Sequence, residues 1–316
     1  MSHKEKTFVP LAFLMLLLPP LFWAGNFIIG RALRDAIPPM TLSLWRWVIA
    51  MVFILPSAWK YIKRDHQQYL EHRWLLVRLS VTGVVAFNSL VYLGLRDTTA
   101  GNALLLNSCI PVLIAFFAAV FYRQRLRVMQ YLGLLLSCAG VGIIIAHGDL
   151  QTFLAMKFSH GDLLVFCAMV SFALYTLWLR NVPQQIDRLG LMAVQIAVAF
   201  VFLIPLWGIE AFHGISAQWS PQAIGALLYL GAFPSVLAYV LFNMAVSRFG
   251  AAQAGLCIHL IPVFGAVLAV LFLHESFHLY HAAGMAAILT GIRLALKPSP
   301  VISQISSTTA QGKLNE

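Results

Sequence analysis

Residues 100–142 read AGNALLLNSCIPVLIAFFAAVFYRQRLRVMQYLGLLLSCAGVG, and residues 251–293 read AAQAGLCIHLIPVFGAVLAVLFLHESFHLYHAAGMAAILTGIR. A shift of 151 residues, without a gap, aligns the two stretches and makes eleven residue pairs identical. The aligned pairs include Ile110-Pro111 with Ile261-Pro262, Gly133 with Gly284, and Gly140 with Gly291. Each stretch is an apolar run with an internal Pro, then a short polar turn, then a second apolar run. We therefore interpret the chain as an internal duplication.

The composition is typical of a membrane protein. Hydrophobic residues make up 60% of the chain and charged residues only 10%, whereas soluble domains carry about 25% charged residues. The formal net charge is +10, but the basic residues lie in short runs between apolar segments, which favours a topology signal over a nucleic-acid surface. The four cysteines lie within apolar segments and show no CxxC or Cys/His spacing. The sequence therefore predicts no disulfide framework, no metal site and no cofactor.

Ten apolar segments are long enough to cross a membrane. A hydrocarbon core of about 30 Å takes about 20 residues of α-helix, and an unpaired backbone is not tolerated in lipid. We therefore predict an all-α integral membrane protein with ten transmembrane helices. Their approximate ranges are residues 11–33, 40–59, 74–95, 98–122, 128–146, 161–181, 189–209, 221–246, 250–273 and 279–297.

The loop charges predict the orientation of these helices. With the N-terminus inside, the inner segments hold sixteen Lys and Arg residues and the outer segments hold four, which leaves Arg46 alone within a span. By the positive-inside rule both termini are cytoplasmic. Five helices per copy is an odd number, so the copies enter the membrane in opposite directions. The prediction is two inverted-topology five-helix repeats, an arrangement that supports alternating access around a central site.

The predicted organisation has five parts. They are a cytoplasmic N-terminus (1–10), a first repeat of five helices (11–146), a periplasmic linker (147–160), a second repeat of five helices (161–297) and a disordered cytoplasmic tail (298–316).

Several motifs together resemble the EamA family of the drug/metabolite transporter superfamily. They are Trp23-Ala24-Gly25-Asn26-Phe27, Arg46, the two Ile-Pro motifs, Glu275, and Gly284 with Gly291. The similarity covers about residues 11–297. It implies a multi-pass bacterial inner-membrane permease, often an exporter of amino acids or other small metabolites, whose partners are a small-molecule substrate and the lipid bilayer. One departure is Gln124, where the family usually has Glu, so any role of that carboxylate can apply only to the second copy.

Two Asn/Tyr pairs are the most symmetric polar feature of the apolar spans. Asn88 and Tyr92 are four residues apart and share a helix face. The shift of 151 residues places them on Tyr239 and Asn243, again one amide and one phenol. These four side chains are candidates for substrate or gate contacts. The alternative is that they hold helices together through hydrogen bonds.

Arg46 is the one basic residue within a span. It lies about 10 Å from the outer end of its helix, at 1.5 Å per residue. An Arg at a helix centre costs about 2.5–3.5 kcal/mol on insertion scales. It is a candidate counter-charge for a substrate carboxylate, or a structural Arg that binds backbone carbonyls. Its sequence neighbours Trp45 and Trp47 are not expected to shield it.

Three further groups of residues are candidates. His259 lies just before Ile261-Pro262 and could bind substrate or relay protons, or else bond to a neighbouring helix. Pro111 and Pro262 are predicted helix hinges, because Pro removes a backbone hydrogen bond. Trp23, Asn26 and Tyr175 complete the predicted substrate-binding set.

Two other function classes were weighed. His274-Glu275-Ser276-Phe277-His278 matches HExxH, which on a helix would hold zinc in a metalloprotease, but it falls where a span should end and a turn begin. A non-transporting assembly protein would not need inverted repeats with matched polar residues. The sequence therefore favours a transporter rather than an enzyme. The glycines of the fifth and tenth spans predict helix-on-helix packing, either within the chain or between protomers of a homodimer.

Overall fold

A computed structural model of the chain describes residues 3–124, 127–146, 148–149, 151, 154, 159–273 and 278–295. Within these residues every regular element is helical. The helices are α1 (His3–Ala32), α2 (Pro39–Arg64), α3 (His66–Glu71), α4 (Arg73–Asp97), α5 (Ala100–Asn107), α6 (Ile110–Tyr122), α7 (Val128–Ile145), α8 (His160–Leu179), α9 (Arg188–Phe212), α10 (Pro221–Phe249), α11 (Ala251–Leu256), α12 (Leu260–Leu273) and α13 (Leu279–Ala295).

Nine helical segments of the described chain are long and apolar enough to cross a membrane, as judged by length and composition. They coincide with the first nine predicted spans, of which the fourth combines α5 with α6 and the ninth combines α11 with the first part of α12. The tenth predicted span corresponds to α13, an apolar helix of 17 residues. The prediction of an all-helical, multi-pass membrane protein is confirmed, whereas ten membrane-crossing helices remain a prediction. The tail 298–316 and most of the linker 147–160 lie outside the described residues.

The helices of the third and eighth spans, α4 and α10, each contain a π-helical segment. In α4 it covers Ser80–Ala86, and in α10 it covers Gly231–Leu237. The two segments are 151 residues apart, the same shift that aligns the duplicated stretches. A π segment rotates the side chains that follow it and occurs mostly near functional sites. These segments therefore set the directions of the Asn/Tyr pairs that follow them.

The fourth and ninth spans are both interrupted immediately before their Ile-Pro motifs. In the fourth, α5 ends at Asn107 and α6 begins at Ile110. In the ninth, a 3₁₀ turn at Cys257–His259 separates α11 from α12. The breaks fall where the sequence places the hinges, because Pro fits only the first turn of a helix without loss of a hydrogen bond. Movement at these breaks remains a prediction.

The glycines of α7 and α13 form a close helix contact within one chain. A Cβ atom built on Gly133 would lie 2.5 Å from the Gly291 carbonyl oxygen, and one built on Gly140 would lie 2.7 Å from the Gly284 oxygen. Backbones approach this closely only where side chains are absent. The predicted helix-on-helix packing is confirmed, and it is internal to the chain.

Helices α2 and α9 pack along each other in opposite directions, and a carboxylate joins them at each end. At the end where α2 begins, the Glu210 carboxylate accepts hydrogen bonds from the Met40 and Thr41 amides at 2.9 and 2.7 Å. At the end where α2 finishes, Asp65 accepts a hydrogen bond from the Asp187 amide at 3.0 Å. Arg64 donates to the same Asp65 carboxylate and holds its pKa below the usual range. We call these the Glu210 end and the Asp65 end of the bundle.

Candidate functional site

Arg46 lies at the centre of a cluster of side chains from four helices. Its side chain is buried with 1% exposure, and it comes seven residues after the start of α2 at Pro39. That position is about 10 Å from the Glu210 end, at 1.5 Å per residue. The members are Asn26 on α1, Arg46 on α2, Asn88 and Tyr92 on α4, and Ser235 on α10. We call this set the Arg46 cluster.

The guanidinium group of Arg46 donates only to neutral oxygen atoms. Nε donates to Ser235 Oγ at 2.8 Å, and Nη1 donates to Asn26 Oδ1 at 2.9 Å and to Asn88 Oδ1 at 2.7 Å. The Tyr92 hydroxyl accepts from Nη1 and in turn donates to Asn26 Oδ1. These acceptors explain how a cation is held away from water, because a buried charge must be hydrogen-bonded.

No carboxylate lies within ion-pair distance of Arg46 among the residues that the structure describes, where the ion pairs are Arg34–Asp35 and Arg64–Asp65. The Trp47 ring centroid lies 5.1 Å from Arg46 Cζ, and the Tyr92 ring lies 5.7 Å away. The expectation that Trp47 would not shield Arg46 was therefore wrong, although Trp45 does point outward. Stabilisation by aromatic faces and neutral oxygens leaves the cluster with an uncompensated positive charge.

The π segment of α10 explains why Ser235 reaches Arg46. Pro234 within this segment has no amide hydrogen, so it cannot donate to a carbonyl in the preceding turn. The Ser235 hydroxyl donates to the Leu230 carbonyl oxygen at 2.6 Å. Its oxygen remains free to accept from Arg46 Nε.

The two π segments present carbonyl oxygens at matched positions. The Gly83 oxygen in α4 accepts from the Tyr239 hydroxyl at 2.6 Å. The Pro234 oxygen in α10 accepts from Trp23 Nε1 at 3.1 Å. Gly83 and Pro234 are 151 residues apart, so the same backbone position is used in each half to bind an aromatic side chain from the other half.

The two Asn/Tyr pairs meet only through Asn88 and Tyr239, whose Nδ2 and hydroxyl atoms are 3.3 Å apart. Tyr92 belongs to the Arg46 cluster. Asn243 instead accepts from the Tyr175 hydroxyl at 2.7 Å. The four side chains therefore divide between two clusters, one toward each end of the bundle, instead of lining one open cavity.

An aromatic layer closes the centre of the bundle. The Trp23 ring packs edge-on against Phe172, Tyr239 and Phe242, with centroid distances between 5.2 and 5.7 Å. The space beside Trp23, Asn26 and Asn107 is a cavity of about 10 Å³. A single water molecule needs about 10–15 Å³, so a solute can enter this region only after the helices separate.

A larger groove of about 870 Å³ lies between α5, α6, α7 and the start of α13. Its lining is mostly apolar and includes no residue that contacts Arg46. Size alone therefore does not make it the substrate site, which needs convergent polar groups.

His259 lies apart from the Arg46 cluster, in the 3₁₀ turn before α12. Its Nε2 lies 2.9 Å from the Ser108 carbonyl oxygen, and its side chain is fully buried. Ser108 and His259 are 151 residues apart. This contact joins the two interrupted spans at their breaks and is consistent with the helix-bonding alternative for His259.

Three residues with specific contacts were missed by the sequence argument: Ser235, Gln195 and Glu210. Gln195 is fully buried on α9 and lies 3.4 Å from the Tyr175 hydroxyl. The criterion that selected Asn88, an amide in an apolar span, applies equally to Gln195. Ser235 has no such signal, because small hydroxyl residues are common in membrane helices.

The HExxH hypothesis is not tested by the described residues. Residues 274–277 of the motif lie outside them, and no group of three His, Cys, Asp or Glu side chains in the described part of the chain could hold a metal ion.

In the described residues, a bundle of membrane-length apolar helices surrounds a hydrogen-bonded cation, which is the architecture of a multi-pass membrane protein. The chain matches the model of the EamA-like transporter family over residues 10–146 and 159–297, and it belongs to that family. Transporters of this family are generally not enzymes. The two matched ranges fall on the two halves of the internal duplication.

Relatives and a solved structure agree with this assignment. An uncharacterized transporter of Archaeoglobus fulgidus is 30% identical over 89% of this chain and 96% of its own. A protein of Streptantibioticus cattleyicolor, named as a probable terminal-alkyne amino-acid exporter, is 26% identical over 82% of this chain and 84% of its own. A solved crystal structure shares the fold with a TM-score of 0.72, at 18% identity over 90% of this chain and 96% of that one.

Proposed function

We propose that this protein is a secondary transporter of the bacterial inner membrane that exports amino acids or related small metabolites by alternating access. Its ten spans form two inverted repeats of five helices, and both termini lie in the cytoplasm. The Asp65 end is then cytoplasmic and the Glu210 end periplasmic. The Arg46 cluster and the Tyr175–Asn243 contact lie on the solute pathway.

The observation that carries this proposal is that residues 151 positions apart touch each other. Asn88 bonds to Tyr239, the Ser108 carbonyl to His259, and the Ser137 hydroxyl to the Ile288 carbonyl oxygen at 3.5 Å. Equivalent residues of two copies can meet only on the axis that relates the copies. Three such contacts on different helix pairs support a pseudo-twofold axis, which is the basis of alternating access in inverted repeats.

The helix pairing supports the same axis. The first span packs against the eighth and the third against the sixth, while the second packs against the seventh and the fifth against the tenth. Exchange of the two copies replaces each span by the one five places along. The pair of first and eighth spans then becomes the pair of sixth and third, while the pairs second–seventh and fifth–tenth map onto themselves. Each copy therefore packs on the other through the same surfaces.

The two carboxylate contacts between α2 and α9 are suited to act as closures. Glu210 holds one end and Asp65 the other, and the centre between them is closed. Opening of either end would break only a few hydrogen bonds, and bending at Pro111 and Pro262 would accommodate the movement. The name of the Streptantibioticus relative supports amino acids as the first solutes to test.

Transport by the purified protein is the first expected result. In proteoliposomes loaded with single unlabelled amino acids, we expect counterflow of at least one labelled amino acid above protein-free liposomes. Asn88→Ala should raise the KM of that solute two- to tenfold, because one hydrogen bond between this amide and a neutral group of the solute contributes about 0.5–1.5 kcal/mol. Asn181→Ala is the matched control, since Asn181 is exposed. Uptake no greater than in protein-free liposomes for every solute would overturn the proposal.

The orientation gives a second expected result. A reporter fused after Lys313 should be cytoplasmic, and one inserted at Gln151 should be periplasmic, because the loop charges favour the inside sixteen to four. Alkaline phosphatase and green fluorescent protein fusions measure the two locations. Both reporters on the same side would contradict two repeats of five spans.

A further inference from the structure

A second group of polar residues lies near the Asp65 end of α9 and α10. The Tyr175 hydroxyl lies between two buried amides, 2.7 Å from Asn243 Oδ1 and 3.4 Å from Gln195 Oε1. Arg188 comes two helical turns before Gln195 on α9, and its Nη2 donates to Ser247 Oγ at 2.8 Å. Ser247 follows Asn243 by one turn on α10. Arg188, Gln195, Asn243 and Ser247 thus form a polar strip from the Asp65 end of the bundle to the Tyr175 hydroxyl.

This strip has more hydrogen-bond donors than acceptors. Gln195 Nε2, Asn243 Nδ2 and Arg188 Nη1 are all buried, and none has a hydrogen-bond partner among the described residues. Gln195 and Asn243 are exposed by 0% and 1%. Buried polar groups in proteins are almost always paired. Three unpaired donors on adjacent helices are therefore a feature that needs an explanation.

Reorientation of the amides does not remove the excess. The Tyr175 hydroxyl has one proton, which the shorter contact assigns to Asn243 Oδ1. If the Gln195 amide is turned over, its Nε2 can donate to the Tyr175 oxygen, and its Oε1 then takes the unpaired position. Asn243 Nδ2 and Arg188 Nη1 remain unpaired in either orientation of Gln195. If Asn243 is turned over instead, Gln195 Nε2 and Arg188 Nη1 remain unpaired. What is missing is an acceptor.

The missing acceptor is best supplied by an anion. Arg188 carries a full positive charge beside the first turn of α9, whose N-terminus adds a partial positive charge. The nearest acid in sequence, Asp187, already accepts hydrogen bonds from the Leu189 and Gly190 amides at 2.9 and 3.4 Å. A guanidinium group with neighbouring amide donors is suited to a carboxylate, which accepts several hydrogen bonds at once.

The position of the strip suits capture of a solute. Arg188 is half-buried near the surface and Ser247 is exposed, whereas Gln195 lies about 10 Å deeper at 1.5 Å per residue. The Arg46 cluster occupies a similar depth from the opposite end, where side-chain oxygens accept hydrogen bonds from Nε and Nη1 of Arg46. Of the two guanidinium groups, that of Arg188 is therefore the one with a buried nitrogen, Nη1, that has no hydrogen-bond partner among the described residues.

We propose that Arg188, Gln195 and Asn243 form a second binding site, which takes the carboxylate of the transported solute at the cytoplasmic end of the pathway. This proposal rests on the transport function proposed above. The solute enters when α9 and α10 separate at the Asp65 end. Its carboxylate then pairs with Arg188 and the two amides before it passes the aromatic layer.

The first test uses the proteoliposomes and the amino acid that they transport best, compared with its carboxamide. Arg188→Gln should raise the KM of the amino acid at least tenfold from the Asp65 side and leave competition by the carboxamide unchanged. Arg180→Gln is the matched control, because Arg180 is an exposed Arg at the same end, bonded to Gln124. An unchanged KM in Arg188→Gln, or equal losses for both solutes, would overturn the proposal. Stronger competition by inorganic phosphate than by the amino acid would assign the site to phosphate and also overturn it.

The second test combines the thermal stability of the empty protein with the KM of transport. Gln195→Met keeps the size of the side chain and removes the unpaired donor. A buried donor that is unpaired without ligand destabilises the empty protein, so this variant should raise the melting temperature in detergent. The same variant should raise the KM, because it removes a hydrogen bond to the solute. If Gln195→Met instead lowers the melting temperature and leaves the KM unchanged, the Gln195 amide has a purely structural role and bonds only to a bound water. That result would overturn the proposal.

Failure of this proposal and failure of the transport function are distinguishable. If the wild-type protein transports amino acids and both variants keep the wild-type KM, only the carboxylate site is wrong. If the wild-type protein moves no amino acid in proteoliposomes, the transport function is wrong and the carboxylate site falls with it.

Discussion

Replacement of Arg46 by glutamine is expected to reduce transport per folded molecule at least a hundredfold and to destabilise the bundle. The guanidinium group joins α2 to α1, α4 and α10 through Asn26, Asn88 and Ser235. Removal of one partner from a buried, hydrogen-bonded charge costs about 3–5 kcal/mol, since the remaining groups are left unsatisfied. Arg46→Lys should retain partial activity, because it keeps the charge but loses the planar group that reaches three helices at once.

The measurements are the melting temperature in detergent and the initial transport rate, normalised to folded protein. Arg34→Gln is the control, because Arg34 lies in the α1–α2 connection and pairs with the exposed Asp35. A variant Arg46→Gln that melts earlier but transports normally per folded molecule would limit Arg46 to a structural role. Normal stability together with normal transport would contradict the cluster as a whole.

The chemical types of the site residues were predictable from the sequence, but their connections were not. A polar side chain in an apolar span is costly unless it is paired, which is why Asn26, Asn88 and Tyr92 were found. Their common partner depends on which helices are neighbours. The sequence left two partners open for Arg46, a substrate carboxylate or backbone carbonyls. In the described residues its partners are neutral side-chain oxygens, which composition alone does not identify.

The π segments show where sequence comparison loses information. The stretches SVTGVVA and GAFPSVL share one aligned residue, Val85 with Val236, yet both form π-helix. Only α10 has a Pro there to disturb the helix. In α4 the same geometry accompanies the close approach of Tyr175 to Gly83, where a Cβ atom would lie 2.3 Å from the Tyr175 ring. Packing between the halves accompanies the π segment in α4 and a Pro accompanies it in α10, so the two segments share no common local sequence signal.

The glycine spacing, by contrast, was sufficient to predict a helix contact, because the physical requirement is local. Two glycines seven residues apart lie on one helix face, and only a facing helix benefits from their small size. The sequence left open whether that helix belongs to the same chain. The answer depends on the fold of the whole bundle, which brings α7 and α13 together.

The contact between α7 and α13 gives the last expected result. Substitution by Ala should destabilise the protein at Gly133 and Gly140 but stabilise it slightly at Gly142. The double variant Gly133→Ala with Gly140→Ala should destabilise the protein by about 2–6 kcal/mol, twice the usual cost of overpacking one site. Each new Cβ atom would lie within 2.7 Å of a carbonyl oxygen of α13, and backbone cannot move aside as a flexible side chain can. The two sites are about 10 Å apart, so their effects should add.

Gly142→Ala is the matched control on the same helix. A Cβ atom at Gly142 meets nothing within 4 Å, and Ala is favoured over Gly inside a helix by about 0.5–1 kcal/mol. This variant should therefore melt slightly later than the wild-type protein. Thermal unfolding followed by tryptophan fluorescence, with light scattering for the molecular mass, measures both effects. If the double variant keeps its melting temperature but changes its oligomeric mass, the glycines would be acting between protomers. Because the clash arises between two helices of one chain, we expect the opposite: an earlier melt at constant mass.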